Sequence, residues 1–185
     1  MWPFSKKIKF SYYPPVPPMI DLRLRLPRNE ISNLKVLNVG AGSGMSGLAC
    51  QLPYLPFKQL DFLDVHLPYL AGARARVYDA KKVNFIHRSI VGFDASGYDL
   101  VLMFDVLEHL KKEDSLAVMD SIKGKQIIFI PLEKEFRPNN FGAESQDHLS
   151  LWTEQDFKDR GYCTDVLKDF HDEGNGPFPA LWAIK

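Results

Sequence analysis

From Lys35 onward the chain alternates short apolar runs with stretches whose apolar residues recur at helical spacing. Val36 to Val39, Leu60 to Val65, Val83 to Ile86, Tyr98 to Phe104 and Ile127 to Ile130 read as strands. The last is an unbroken apolar run, as in strands buried on both faces of a sheet. Between them, Met45 to Leu52 predicts a helix stopped by Pro53 and Pro56, and Pro68 to Tyr78 predicts a second. Val106 to Lys111 predicts a third, with more helix to Ile122. Strands separated by helices imply βαβ units and a parallel sheet. The rhythm breaks near the end, where Thr153 is placed to N-cap a helix over Glu154 to Arg160 and Gly161 to stop it. Two strand-like segments follow, Tyr162 to Phe170 and Phe178 to Ile184, joined by Gly174-Asn175-Gly176-Pro177 as an antiparallel hairpin. The predicted class is α/β: a Rossmann-like, mostly parallel seven-stranded sheet flanked by helices and ending in that hairpin.

Residues 1–33 lack this pattern. Tyr13-Pro14-Pro15-Val16-Pro17-Pro18 favours extended, polyproline-like backbone, and Asp21 to Leu26 alternates polar and apolar. They predict an N-terminal arm packed on a domain spanning 34–185. The mixture of Trp2, Phe4, Lys6, Lys7 and Lys9 also suits a lid or a peripheral membrane contact. A chain of 185 residues is sized for one domain. It holds no run near the ~18 apolar residues of a membrane span and no signal-peptide core, so a cytoplasmic location is expected. Lys plus Arg and Asp plus Glu both number 23, a balance that gives no general attraction to nucleic acid, and none is expected as a partner. Cys50 and Cys163 have no metal-ligand spacing; they are expected to be small buried hydrophobes, and no metal centre is predicted.

Candidate chemistry begins at Gly40-Ala41-Gly42-Ser43-Gly44, where the first strand runs into glycines. Glycines there let the backbone turn sharply and let a ligand approach without a Cβ in the way. Gly42-Ser43-Gly44-Met45-Ser46-Gly47 also matches the dinucleotide fingerprint, so the turn alone leaves a nicotinamide-dependent oxidoreductase open. Either ligand needs a carboxylate at the tip of the second strand for its ribose hydroxyls. Asp61 and Asp64 both qualify; Asp64, immediately before the next helix, is favoured, and Asp61 otherwise reads as a solvent-facing strand position.

Two segments resemble a known family. Asp64-Val65-His66-Leu67-Pro68-Tyr69-Leu70 is similar to a strand-to-helix junction of class I S-adenosylmethionine-dependent methyltransferases. Tyr98 to Leu110, ending Phe104-Asp105-Val106-Leu107-Glu108-His109-Leu110, resembles the fourth strand and following turn of their small-molecule group. Asp147 to Thr153 resembles that group's region after the fifth strand. The resemblance implies S-adenosylmethionine as cofactor, held by Gly40, Ala41, Gly42, Gly44, Asp64, Val65, Ser89, Ile90, Phe104 and Asp105. Two positions depart from the family: Asn38 stands where an acid is usual near the cofactor's ammonium, and Ser89 where an acid contacts the adenine. A cofactor-binding but catalytically silent module acting through a partner protein is therefore a second expectation. Asp105 with Glu108 three residues later also reads as a capping box.

Methyl transfer is an in-line displacement in which alignment supplies much of the acceleration, and a base is needed only when the acceptor loses a proton. His148 and His109 are the candidate bases, with Glu108 or Asp105 as orienting groups. His148 sits in the polar segment Pro131 to Ser150, the expected acceptor loop, which also contains Glu133, Lys134, Glu135, Arg137, Asn139, Asn140, Glu144 and Asp147. Its polarity, and the lack of an amino-methylating motif after the fourth strand, favour an oxygen acceptor on a small molecule or a glycan- or lipid-linked group.

Overall fold

The computed structural model describes residues 28–40, 42, 52, 55–77, 82–136, 147–172 and 177–185. A one-turn helix, α1 (Arg28–Ile31), leads into β1 (Lys35–Val39). Then come β2 (Gln59–Asp64), α2 (Leu67–Arg76), β3 (Val83–His87) and β4 (Leu100–Phe104). A 3₁₀ turn (Leu107–His109) precedes α3 (Lys112–Ser121), β5 (Lys125–Pro131), α4 (Glu154–Lys158), β6 (Cys163–Asp172) and β7 (Pro177–Ile184). The seven strands form one sheet in the order β3-β2-β1-β4-β5-β7-β6. The first five pair in parallel, and β7 runs antiparallel to both β5 and β6. The predicted architecture and its closing hairpin are both present. The expected helix over Met45 to Leu52, the hairpin loop 173–176 and nearly all of the N-terminal arm lie outside the described residues. The end of that arm packs on the domain, with Ile31 only 2% exposed.

Alternation along the strands separates two core layers. Val36, Leu60, Phe62, Leu100, Leu102, Ile127 and Phe129 project to one face; Leu37, Leu63, Val101, Met103, Ile128 and Ile130 project to the other. β4 is buried at every position because β1 and β5 take its edges and side chains cover both its faces.

Three expectations are corrected. The helix predicted from Val106 is a single 3₁₀ turn, and the α-helix starts afresh at Lys112 after an extended Leu110 and Lys111. Cys163 is exposed at the start of β6 instead of buried. Asp61 does not face solvent: it is 4% exposed and accepts hydrogen bonds from Tyr98 Oη (2.6 Å), Asn84 Nδ2 (2.7 Å) and Gln59 Nε2 (2.8 and 2.9 Å). The cap at Thr153 is as expected, and Asp156 returns its bond to complete a capping box.

Burial and the bond to Asp61 raise the Tyr98 hydroxyl well above the ordinary tyrosine range, so it stays a donor. Tyr98→Phe leaves the Asp61 carboxylate short of one partner and is expected to destabilise the fold by about 1–3 kcal/mol. Chemical denaturation should show a lower midpoint with an unchanged slope.

Candidate functional site

The sheet order reverses between β1, which leads toward β2 and β3 on one side, and β4 on the other. Open α/β sheets bind ligands beyond the carboxyl ends of their strands at such a switch point. The predicted residues at the ends of β1, β2 and β4 gather there.

Gly40 follows β1 with φ +71°, and its N–H donates to Leu63 O at 2.8 Å. A Cβ at Gly40 would stand 2.6 Å from Val106 Cγ2, so the position accepts no larger residue without movement. Gly42 also has positive φ (59°) and donates its N–H to Asp64 Oδ2 at 3.1 Å. The other oxygen, Oδ1, accepts from His66 N at 2.7 Å. Each oxygen keeps a lone pair beyond these bonds. Asp64, not Asp61, is thus the carboxylate joined to the glycine turn. Asn38 is 2% exposed, and its Oδ1 finds no hydrogen-bond partner among the described residues. By strand alternation Asn38 and Asp64 lie on the same face of the sheet.

The other cofactor candidates have distinct positions. Val65 is half exposed beside Asp64, and Ile90 is buried in the core. Ser89 Oγ accepts from Val91 N at 3.1 Å, which stabilises the turn after β3. The Phe104 ring packs edge-on against Trp182 in the core, so its side chain is committed to the sheet's packing. Ala41 and Gly44 lie outside the described residues.

Asp105 terminates β4. Its N–H donates to Phe129 O at 3.0 Å, and its φ of 51° makes it the positive-φ non-glycine among the described residues. This left-handed turn swings the 3₁₀ segment over the sheet's end. Glu108 on that segment is 1% exposed, and neither carboxylate oxygen meets a hydrogen-bond partner at bonding geometry. The expected capping box is absent: Val106 holds the N-cap position, with no side-chain cap. Ser150 and Leu149 donate their N–H groups to Glu108 O at 3.1 and 2.6 Å, drawing the end of the acceptor loop onto the turn.

That pairing brings the two predicted histidines together, ring centroids 4.8 Å apart and edge-on at 77°. His109 Nδ1 lies 3.1 Å from Asp147 O, and His148 Nδ1 lies 2.5 Å from Glu133 Oε2. The segment between Phe136 and Asp147, the middle of the acceptor loop, lies outside the described residues. Burial pushes the Asp105 carboxyl up to about 7; a charge on His148 opposes this and Glu133 adds to it. Burial, then the charge of Asp105, raises Glu108 well above the ordinary range, with the nearby amides of Glu108 and Val106 tempering the rise. Burial, then His148, lowers His109 to about 4, so its ring is neutral near pH 7. Glu133 is 7% exposed and is the functional partner the sequence did not single out. It sits in a run of charges that reads as solvated loop.

The sequence matches no protein-family model and no curated protein. Solved structures with the same fold include the methyltransferase domain of bacterial CtHen1 (20% identity, 91% of this chain and 94% of that one, TM-score 0.59). They also include N-methyltransferase NodS from Bradyrhizobium japonicum WM9 (16%, 90% and 95%, TM-score 0.59). A third is magnesium protoporphyrin IX methyltransferase ChlM from Synechocystis PCC 6803 with bound SAH (15%, 91% and 80%, TM-score 0.63). The chain has the class I methyltransferase fold.

At φ 51° a glycine is unstrained whereas an alanine is not. Asp105→Gly is therefore expected to be more stable than Asp105→Ala by about 1 kcal/mol, the reverse of the usual order. Paired denaturation curves of the two variants check this.

Proposed function

We propose that the chain is an S-adenosylmethionine-dependent methyltransferase acting at oxygen on a small molecule or a glycan- or lipid-linked group. The observation that carries this reading is the set of groups beside the glycine turn at the switch point. Asp64 is oriented by two backbone N–H groups with lone pairs to spare, and Asn38 Oδ1 is buried without a partner. A buried acceptor without a donor costs about 1–3 kcal/mol, which a ligand's ammonium in contact with it would relieve. Asn38 thus suits a cationic group even though it lacks the charge of the family's usual acid.

In this reading Asp64 receives the ribose hydroxyls, and the left-handed Gly40 and Gly42 let the nucleoside lie against the main chain. Ala41, Gly44, Val65, Ser89, Ile90, Phe104 and Asp105 remain assigned to cofactor binding in this reading. When bound, the cofactor supplies a sulfonium-activated methyl group. The residues of this chain align the acceptor and exclude water, and alignment of this kind supplies much of the rate enhancement. His148 and His109 face each other where the acceptor loop returns to the β4 turn, and they are assigned as the groups that activate the acceptor. ChlM, whose structure holds SAH, shares the fold and supports the choice of ligand. Among the described residues no helix is long and apolar enough to cross a membrane; a cytoplasmic location is part of this proposal.

Calorimetry with S-adenosylhomocysteine tests the reading, with NAD(H) in a parallel cell. The adenosyl ligand is expected to bind, and Asp64→Ala to weaken it by about 1–3 kcal/mol. Binding of NAD(H) alone would overturn the assignment. Binding of S-adenosylhomocysteine without methyl incorporation in a labelled-methyl screen of cell extract would instead indicate the silent module.

A further inference from the structure

Glu108, His109 and His148 bring one carboxylate oxygen and one nitrogen of each ring within 4.8 Å of one another. The hydrogen bonds around them show what those atoms offer. Asp147 O can only accept, so His109 Nδ1 carries the proton and donates it. His148 Nδ1 likewise donates to the Glu133 carboxylate. In the neutral form that a metal ion binds, each ring with its proton on Nδ1 offers the Nε2 lone pair. Glu108 adds a carboxylate that is 1% exposed and unpartnered at both oxygens. Three potential ligand groups thus lie together, and the amides of Val106 and Glu108 near the Glu108 carboxyl do not reach bonding geometry with it. Buried acceptors without donors are rare, and a cation satisfies all three at once.

We propose that Glu108, His109 and His148 bind a divalent first-row transition-metal ion such as Zn²⁺, Co²⁺ or Mn²⁺. Two imidazoles and one carboxylate select this group of ions over Mg²⁺ and Ca²⁺, which prefer all-oxygen sites. Glu133 and the Asp147 carbonyl are the outer partners that fix ring orientation and tautomer, the arrangement common behind metal-bound histidine. Bonds of about 2.0–2.2 Å place ligand atoms roughly 3–4 Å apart, so a small side-chain movement closes the set on an ion. Three protein ligands leave positions open for water or an oxygen donor. If the chain transfers methyl groups as proposed above, the imidazoles act on the acceptor oxygen through the ion and not as free bases. The site also revises the expectation that the chain has no metal centre.

Titration of the full chain, stripped with a chelator, with CoCl₂ and ZnCl₂ tests the site. The visible absorption of Co²⁺ reports nitrogen and oxygen coordination, and calorimetry gives stoichiometry and affinity. One ion per chain is expected. His148→Ala and Glu108→Gln are expected to weaken binding at least about tenfold, and Glu133→Gln about 10–100-fold through loss of the outer partner. Cys163→Ala, at an exposed thiol away from the cluster, should leave the affinity unchanged. Circular dichroism confirms folding; if Glu108→Gln does not fold, the partly exposed His148 carries the test. Equal affinity in wild type and His148→Ala, loss of binding only in Cys163→Ala, or no binding at millimolar metal would each overturn the proposal. A parallel S-adenosylhomocysteine titration keeps failure of this site distinct from failure of the cofactor reading.

Discussion

Enclosure of β4 organises the rest of the molecule. Leu100 to Met103 have strands on both edges, Phe104 pairs with β5, and apolar side chains cover both faces, so the strand's backbone is held in the ladder to its end. The chain can depart only beyond Phe104, at the carboxyl end where the sheet's order reverses. It does so abruptly: Asp105 takes a left-handed conformation while its N–H still bonds to β5, and the next residues form a single 3₁₀ turn. A residue with a local strain of about 1–2 kcal/mol persists only where its surroundings over-determine it. Here the surroundings are the β5 carbonyl below and the segment from Asp147 to Ser150 above, which is tied to the Glu108 carbonyl. The same constraint that fills the core therefore delivers Glu108 and His109 to the ligand side of the sheet.

Electrostatics at this end of the sheet run against what burial alone would favour. Asp105, Glu108 and Glu133 are acids within one neighbourhood, and burial raises two of them while neighbouring acid charge raises them further. His148 already holds Glu133. A buried charge with one missing partner costs several kcal/mol, so in the protein alone burial favours the neutral forms of Asp105 and Glu108. A cation bound among these acids would reverse that balance.

Sequence pattern recovered the strands because their apolar runs have a direct cause, burial on two faces, that is written residue by residue. It recovered the α4 cap for a similar reason: Thr153 and Asp156 satisfy one another locally. It failed where the deciding partner is distant. Val106 to Ile122 has an acceptable helical pattern throughout, yet Glu108 O bonds the amides of Leu149 and Ser150, and the helix cannot run through a carbonyl that is already taken. Glu133 was hidden for the same reason, since nothing in a run of alternating charges marks the one acid that will meet His148 across fifteen residues. Cys163 follows an apolar sheet signal but starts the outermost strand, where one edge has no neighbour.

The two acids of β2 show how far such reasoning can go once the face of each residue is known. Asp61 and Asp64 are three residues apart on a strand, so their side chains leave opposite faces of the sheet. Asp61 points toward the layer of Leu37, Leu63 and Tyr98, where a phenol and two amides occupy its lone pairs and fix it as a structural acceptor. Asp64 shares its face with Asn38 and ends the strand, where its partners are the amides of the glycine turn and of His66. Sequence position alone favoured Asp64 modestly. The parity of the strand and the different donors around each acid turn that preference into a division of labour, with one carboxylate consumed by the fold and the other left with acceptor capacity at the switch point.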